Sequence, residues 1–188
     1  LYSSAASDVY KRQAEYNAML GVETLHPLVS VVDLSEAHPM RHFRQTYGFY
    51  AVFLKEIKCG DMIYGRHYYD YQEGTLVCLA PGQVIGFEDD GREFQPKGWA
   101  LVFHPDLIRG TSLGRNMKEY GFFSYEVNEA LHLSERERGM VVDCFGKIRH
   151  ELEHAIDRHS KRLIAINIEM LLDYCLRFYE RQFITRSN

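Results

Sequence analysis

The run Tyr47-Gly48-Phe49-Tyr50-Ala51-Val52-Phe53-Leu54 carries no polar side chain other than the tyrosine hydroxyls. As a strand it alternates, placing Tyr47, Phe49, Ala51, Phe53 and then Lys55 on one side and Tyr50, Val52 and Leu54 on the other. Neither side can be left in water, so the strand must be covered twice. A barrel wall with a filled interior and something packed on its outside meets that demand.

The surrounding sequence supports a β-rich unit. From Leu28 to about Leu131, short apolar runs are broken by Gly, Pro and Asp at intervals of about ten residues. The expected strands are Leu28–Leu34, Tyr47–Ile57, Met62–Tyr64, Thr75–Leu79, Val84–Phe87, Trp99–Phe103 and Phe122–Tyr125. Pro81-Gly82 suits a type II turn, because Pro presets the first central residue and Gly accepts the positive φ of the second. Asp89-Asp90-Gly91 marks another turn.

Two helices follow. Ser134 with Glu137 three residues on is a capping-box pattern, and Val141, Phe145, Ile148, Leu152 and Ile156 recur at three- and four-residue steps. This predicts a helix from about Ser134 to Asp157. A second, from about Ser160 to Phe183, has only the narrow polar stripe Glu169, Asp173, Arg177 and Glu180. A helix apolar almost all round is buried on more than one side. Ile164, Ile168, Leu171, Cys175 and Phe178 can pack on the chain's own domain. The flank Ala165, Leu172, Leu176 and Tyr179 then remains for a partner, which predicts a homodimer. Asn167, bordering the buried face, could fix the pairing register or bond within its own domain.

Charge and cysteine usage exclude other classes. With 22 Lys+Arg against 26 Asp+Glu the net charge is −4, the wrong sign for a surface built to neutralise phosphate backbones. Cys59, Cys78, Cys144 and Cys175 are scattered without C-x-x-C spacing and read as reduced, buried thiols. No run approaches the roughly 18 apolar residues of a membrane span, and no signal-peptide pattern opens the chain, so a cytoplasmic location is expected. Residues 1–13 lack apolar periodicity, and Ser3 to Gln13 look like the translation of a sequencing adapter, so they are expected to play no structural part.

His150-Glu151-Leu152-Glu153-His154 matches the H-E-x-x-H zinc-protease pattern, in which two imidazoles one helical turn apart face a cleft. At about 100° per residue, however, the apolar stripe centres near Leu152 and puts both histidines on the solvated side. Gly110-x-x-x-Gly114 lacks the Lys-Ser/Thr of a phosphate loop, and no G-x-S-x-G elbow occurs.

Asn17 to Asn188 resembles the N-terminal half of AraC-type bacterial transcription regulators, most specifically over Leu20–Val29, Gln72–Gln83, Trp99–Leu107 and Arg177–Arg186. The resemblance implies an α+β, mainly β fold: a cupin-like jelly-roll barrel over residues 14–131, followed over 132–188 by two long antiparallel helices that dimerise. It also implies two helix-turn-helix units downstream. Their absence here, with the abrupt end at Asn188, is read as a truncated frame, so the fragment itself is expected to bind DNA only weakly and DNA contact is left to the missing C-terminal part.

Cupin folds also host metal enzymes that use two His and a Glu from one strand pair and a third His from the next. Here His67 and Glu73 remain, Tyr69 stands at the second His position, and Val84-Ile85 supply none. Two ligands fall short of the roughly three that catalytic zinc needs. No metal, no cofactor and no catalytic residue are therefore expected. A small-molecule effector would bind inside the barrel, with Tyr47, Phe49, Phe53 and Lys55 facing it and Tyr64, His67, Tyr69 and Trp99 as rim or wall. The same aromatics could equally just fill the barrel. The competing functions are a cupin-fold enzyme, such as an isomerase or dioxygenase, and a ligand-free dimerisation scaffold.

Overall fold

The computed structural model describes residues 13–41, 44–46, 48–56, 61–64, 67–70, 74–87, 93–124 and 129–187, with the backbone alone for 40, 41, 44–46, 61–64, 67–70, 84–87 and 94. Its centre is an antiparallel sheet in the order β1 (Val29–Asp33), β10 (Gly98–Phe103), β4 (Tyr50–Lys55), β7 (Thr75–Leu79) and β11 (Leu131–His132). A second antiparallel sheet runs β3 (Arg44–Thr46), β8 (Val84–Phe87), β5 (Asp61–Tyr64) and β6 (His67–Asp70). The short strands β2 (Met40–Arg41) and β9 (Glu93–Phe94) pair with each other. Among the described residues, β1 and β11 have no further strand beside them. The five-stranded sheet is open and is not closed into a barrel.

The apolar run from Phe49 to Leu54 occupies the middle of this sheet and is covered on both sides. Phe49, Ala51 and Phe53 belong to one buried cluster, with Val77, Leu79, Ala100 and Val102 from the flanking strands. Val52 and Leu54 belong to another, with Leu76, Cys78, Leu101 and Phe103. Helix α1, residues 13–20, covers the first face with Tyr16 and Leu20. Helices α4 (Glu135–Glu153) and α5 (Ser160–Ser187) supply the second cluster with Val141, Phe145, Ile148, Ile164, Ile168 and Leu171. The two helices are antiparallel, since Arg181 near the end of α5 donates from Nε to Glu137 at the start of α4 at 3.1 Å.

Helix α4 begins as its residues dictate. The Ser134 hydroxyl accepts the Glu137 N–H at 3.2 Å, and the Glu137 carboxylate accepts the Ser134 N–H at 2.9 Å. It ends earlier than the apolar spacing predicts. His154 adopts extended backbone and its N–H turns back to the carbonyls of His150 and Glu151. Ile156 consequently leaves the stripe and is 66% exposed.

Two further expectations change. Phe122–Tyr125 is not a strand over its described part, because Gly121–Phe123 forms a 3-10 turn. That turn buries the consecutive Phe122 and Phe123 in one cluster, which the alternation of a strand would forbid. The stretch before it is helical as well. Pro105–Ile108 (α2) opens with Pro at its start and the His104 side chain accepting the Asp106 N–H, and Ser112–Asn116 (α3) is capped by Thr111.

Candidate functional site

The face of the central sheet turned away from α4 and α5 brings together three of the candidate ligand residues, Phe49, Phe53 and Lys55. Phe49, just ahead of β4, and Ala51, Phe53 and Lys55 within it occupy every second position of the run. Ala51, with Ala100 opposite Phe53, keeps the middle of the face shallow between the two phenylalanine rings. Helix α1 lies over one part of it. Tyr16 meets Phe49 edge-on at 5.6 Å, and Asn17 accepts from the Ser30 hydroxyl at 2.7 Å while donating to Thr24 Oγ1 at 3.0 Å.

The face becomes polar at one end. Lys55 stands across from Thr75 on β7 and Gly98 on β10, and is only 1% exposed. Burying an ammonium is costly unless it is paired, and Lys55 is not a free charge in this structure. Beside it, the hydroxyl of Thr75 is buried with no hydrogen-bond partner among the described residues. The same holds for both polar side-chain atoms of Gln13. Gln13 shares the buried stripe of α1 with Tyr16, Asn17 and Leu20. Such unpaired polar atoms are rare in protein interiors, and where they occur they call for an explanation.

Gln13 and Thr75 are the residues sequence reasoning missed. Gln13 reads as part of the adapter-like tail, yet it is buried and helical with residues 14–20; residues 1–12 lie outside the described residues. Its signal is the 13, 16, 17, 20 spacing, which is that of one helix face. Thr75 stands out from the following Leu76, Val77, Cys78 and Leu79 by carrying a hydroxyl.

The remaining candidates are distributed elsewhere. Trp99 lies opposite Leu54 on the helix side, its ring stacked on Phe145 at 5.9 Å and the Arg149 guanidinium 5.9 Å from its centroid. It is therefore not part of the inner face. Tyr64 pairs with His67, and Tyr69 with Met62, in the β5–β6 ladder of the second sheet. Tyr47, Cys59 and Glu73 lie outside the described residues.

The flank of α5 expected to await a partner is largely covered within the chain. Ala165, Leu172 and Tyr179 are buried, and Leu176 packs partly buried against the same cluster. The cover is the helical stretch 105–123, which a purely β reading of that region had no place for. Phe122 stacks on Tyr179 at 5.0 Å, and the polar stripe of α5 binds the same stretch. Glu169 accepts from Ser112 at 2.6 Å and Asn116 at 3.0 Å, and Asp173 accepts from the Tyr120 hydroxyl at 2.7 Å. Burial and the Asp173 carboxylate push the Tyr120 phenol far above its ordinary range. Asn167 donates to the Leu163 carbonyl of its own helix at 2.8 Å. Large apolar side chains that α5 leaves exposed include Leu163 (41%), Ile166 (40%) and Met170 (42%) on the opposite side, and Phe183 and Ile184 near its end.

The H-E-x-x-H segment does not form a paired-histidine face. His150 is exposed on α4, and His154 is already outside the helix, its Nδ1 2.8 Å from the Ala155 carbonyl. Among the described residues no cluster of three or more His, Cys, Asp or Glu side chains could hold a metal, and no helix is long and apolar enough to cross a membrane.

No family model and no curated protein matches the chain. Among the solved structures that resemble it are two of low identity. One is the AraC-like transcriptional activator CuxR, with a TM-score of 0.46 and 10% identity over 73% of this chain and 47% of that one. The other is ToxT from Vibrio cholerae, with a TM-score of 0.37 and 9% identity over 76% of this chain and 54% of that one. The chain spans about half the length of each.

Proposed function

We propose that this chain is the effector-binding and dimerising part of an AraC-type transcription regulator, not an enzyme, with the central and second sheets as walls of a cupin-like pocket. In this reading DNA contact belongs to helix-turn-helix units outside this sequence. The sequence resemblance supports the family assignment. The structural observation that carries the sensing role is the inner face, where the buried Thr75 hydroxyl, without a partner among the described residues, lies across from Lys55 on the same face as Phe49 and Phe53; the Gln13 amide, likewise without a partner among them, belongs to α1, whose Tyr16 and Leu20 cover that face. A small molecule with one apolar body and one or two polar groups would satisfy those atoms, which is the usual make-up of a ligand site.

The sheet offers a route from ligand to dimer. Phe53 and Leu54 are adjacent in β4 but belong to clusters on opposite faces, so a shift of the strand on one side is felt by α4 and α5 on the other. The surface for a second copy is the exposed row Leu163, Ile166 and Met170, in place of the flank that is buried.

Two measurements test the proposal. A thermal-shift screen of small sugars, carboxylic acids and aromatic metabolites should find a compound that stabilises the chain, and Thr75→Val should abolish that shift. Sedimentation should show a dimer that Ile166→Glu with Met170→Glu converts to a folded monomer, since burying each large side chain contributes roughly 1.5–3 kcal/mol. A chain that binds nothing in the screen and sediments as a monomer at high concentration would refute both roles.

A further inference from the structure

A second concave surface lies outside the inner face and does not depend on it. The turn between α2 and α3 and the first two turns of α5 enclose a depression of about 450 Å³ lined by Arg109, Arg115, Arg158, Lys161 and Arg162, with Ala165 and Ile166 among its apolar lining. No acidic side chain lines it, although the chain as a whole carries a net charge of −4.

The nearby carboxylates are engaged. Asp106 pairs with Arg109 at 2.7 Å. Asp157 accepts the His159 N–H at 2.8 Å ahead of α5, and Glu169 is bonded to Ser112 and Asn116. Lys161 donates to the Arg109 carbonyl at 3.3 Å, which ties the rim of α5 to the α2–α3 turn. Among the described residues Arg115, Arg158 and Arg162 form no ion pair with a carboxylate. Five cations around one hollow repel one another and raise the local concentration of anions there.

We propose that this depression binds a small organic phosphate. Guanidinium forks match phosphate oxygens two at a time, and several forks around one hollow suit a multiply charged anion better than a single carboxylate. The volume falls within the range of small-molecule sites. A nucleic-acid strand fits less well, because the cations surround one hollow without forming a track and the net charge of the chain opposes a long polyanion.

Calorimetric titration of the chain at physiological salt, with inorganic pyrophosphate and ADP as probes, tests this. Both should bind saturably at one site per chain, with ADP the tighter. Arg115→Gln with Arg162→Gln should weaken them about a hundredfold, and Arg162→Gln alone about tenfold. The control Arg136→Gln with Lys147→Gln, on exposed positions of α4, should leave binding unchanged, and melting temperatures should show every variant folded. Three results would overturn the assignment: no saturable binding of either probe, equal loss in the control, or a single-stranded oligonucleotide that competes and binds more tightly than both.

Discussion

Gln182 holds the edge strand β11 through His132: its Oε1 accepts the His132 N–H at 2.8 Å, while its Nε2 donates to the Ala130 carbonyl at 3.1 Å. The α5 side chain thereby satisfies two backbone groups that a neighbouring strand would otherwise take up. Gln182→Leu would leave both without their partner, the Ala130 carbonyl in a buried position, at about 1–3 kcal/mol for that group. The expected outcome is a urea midpoint well below the parent's. A loss under about 0.5 kcal/mol would show that water replaces both bonds freely.

Gly98 opens β10 at φ +139°, and a Cβ there would lie 2.0 Å from the Leu54 carbonyl oxygen in the paired strand. Because that neighbour is backbone, it cannot turn aside. Gly98→Ala should therefore destabilise by more than about 3 kcal/mol. Gly82, at φ +85° in the turn after Pro81, has open space around it, so Gly82→Ala should cost only about 1 kcal/mol. Thermal melts of the two variants check the order, and equal costs would contradict the steric argument.

Burial pushes the Cys78 thiol well up, with Cys175 beside it, and pushes Cys144 up to about 11. Both therefore remain neutral thiols near pH 8, and the thiolate is the reactive form. Iodoacetamide should label them in native protein far more slowly than in urea, as peptide mass spectrometry would reveal. Labelling of either at the rate of a free thiol would place it at the surface.

His26 is held below the ordinary 6.5 by burial, and its Nδ1 accepts the Leu28 N–H at 3.0 Å, which a doubly protonated ring cannot do. As pH falls, the unfolded chain takes up this proton before the folded chain does. The contribution of His26 is thus complete above about 6.5 and is lost as pH drops through the folded value. His26→Asn keeps an acceptor but does not titrate, so its urea midpoint should fall less steeply than the parent's between about pH 7 and pH 5. Identical slopes would assign the pH dependence to other groups.

Local patterns were sufficient for several elements. The Ser134–Glu137 cap could be read directly because its bonds span three residues. The two-sided covering of β4 could be read because alternation is a property of a single strand. Lys55 could be placed on the face of Phe49 and Phe53 by the same alternation. Thr75 and Gln13 were not, because their role depends on having no partner, and that is known only once the neighbours are in place.

What tertiary structure alone decided is which neighbour takes each face. The sequence of α5 required burial on several sides, but its periodicity is the same whether the cover is a second copy or the chain's own residues. Here Ala165, Leu172 and Tyr179 were covered by the stretch 105–123 and the exposed row moved to Leu163, Ile166 and Met170. Likewise the arginines at 109 and 115 are far in sequence from 158 and 162, and only folding makes them one surface. Periodicity and capping are set by residues a few positions apart, whereas these pairings join segments about 50 residues apart, a choice made by the packing of the whole chain.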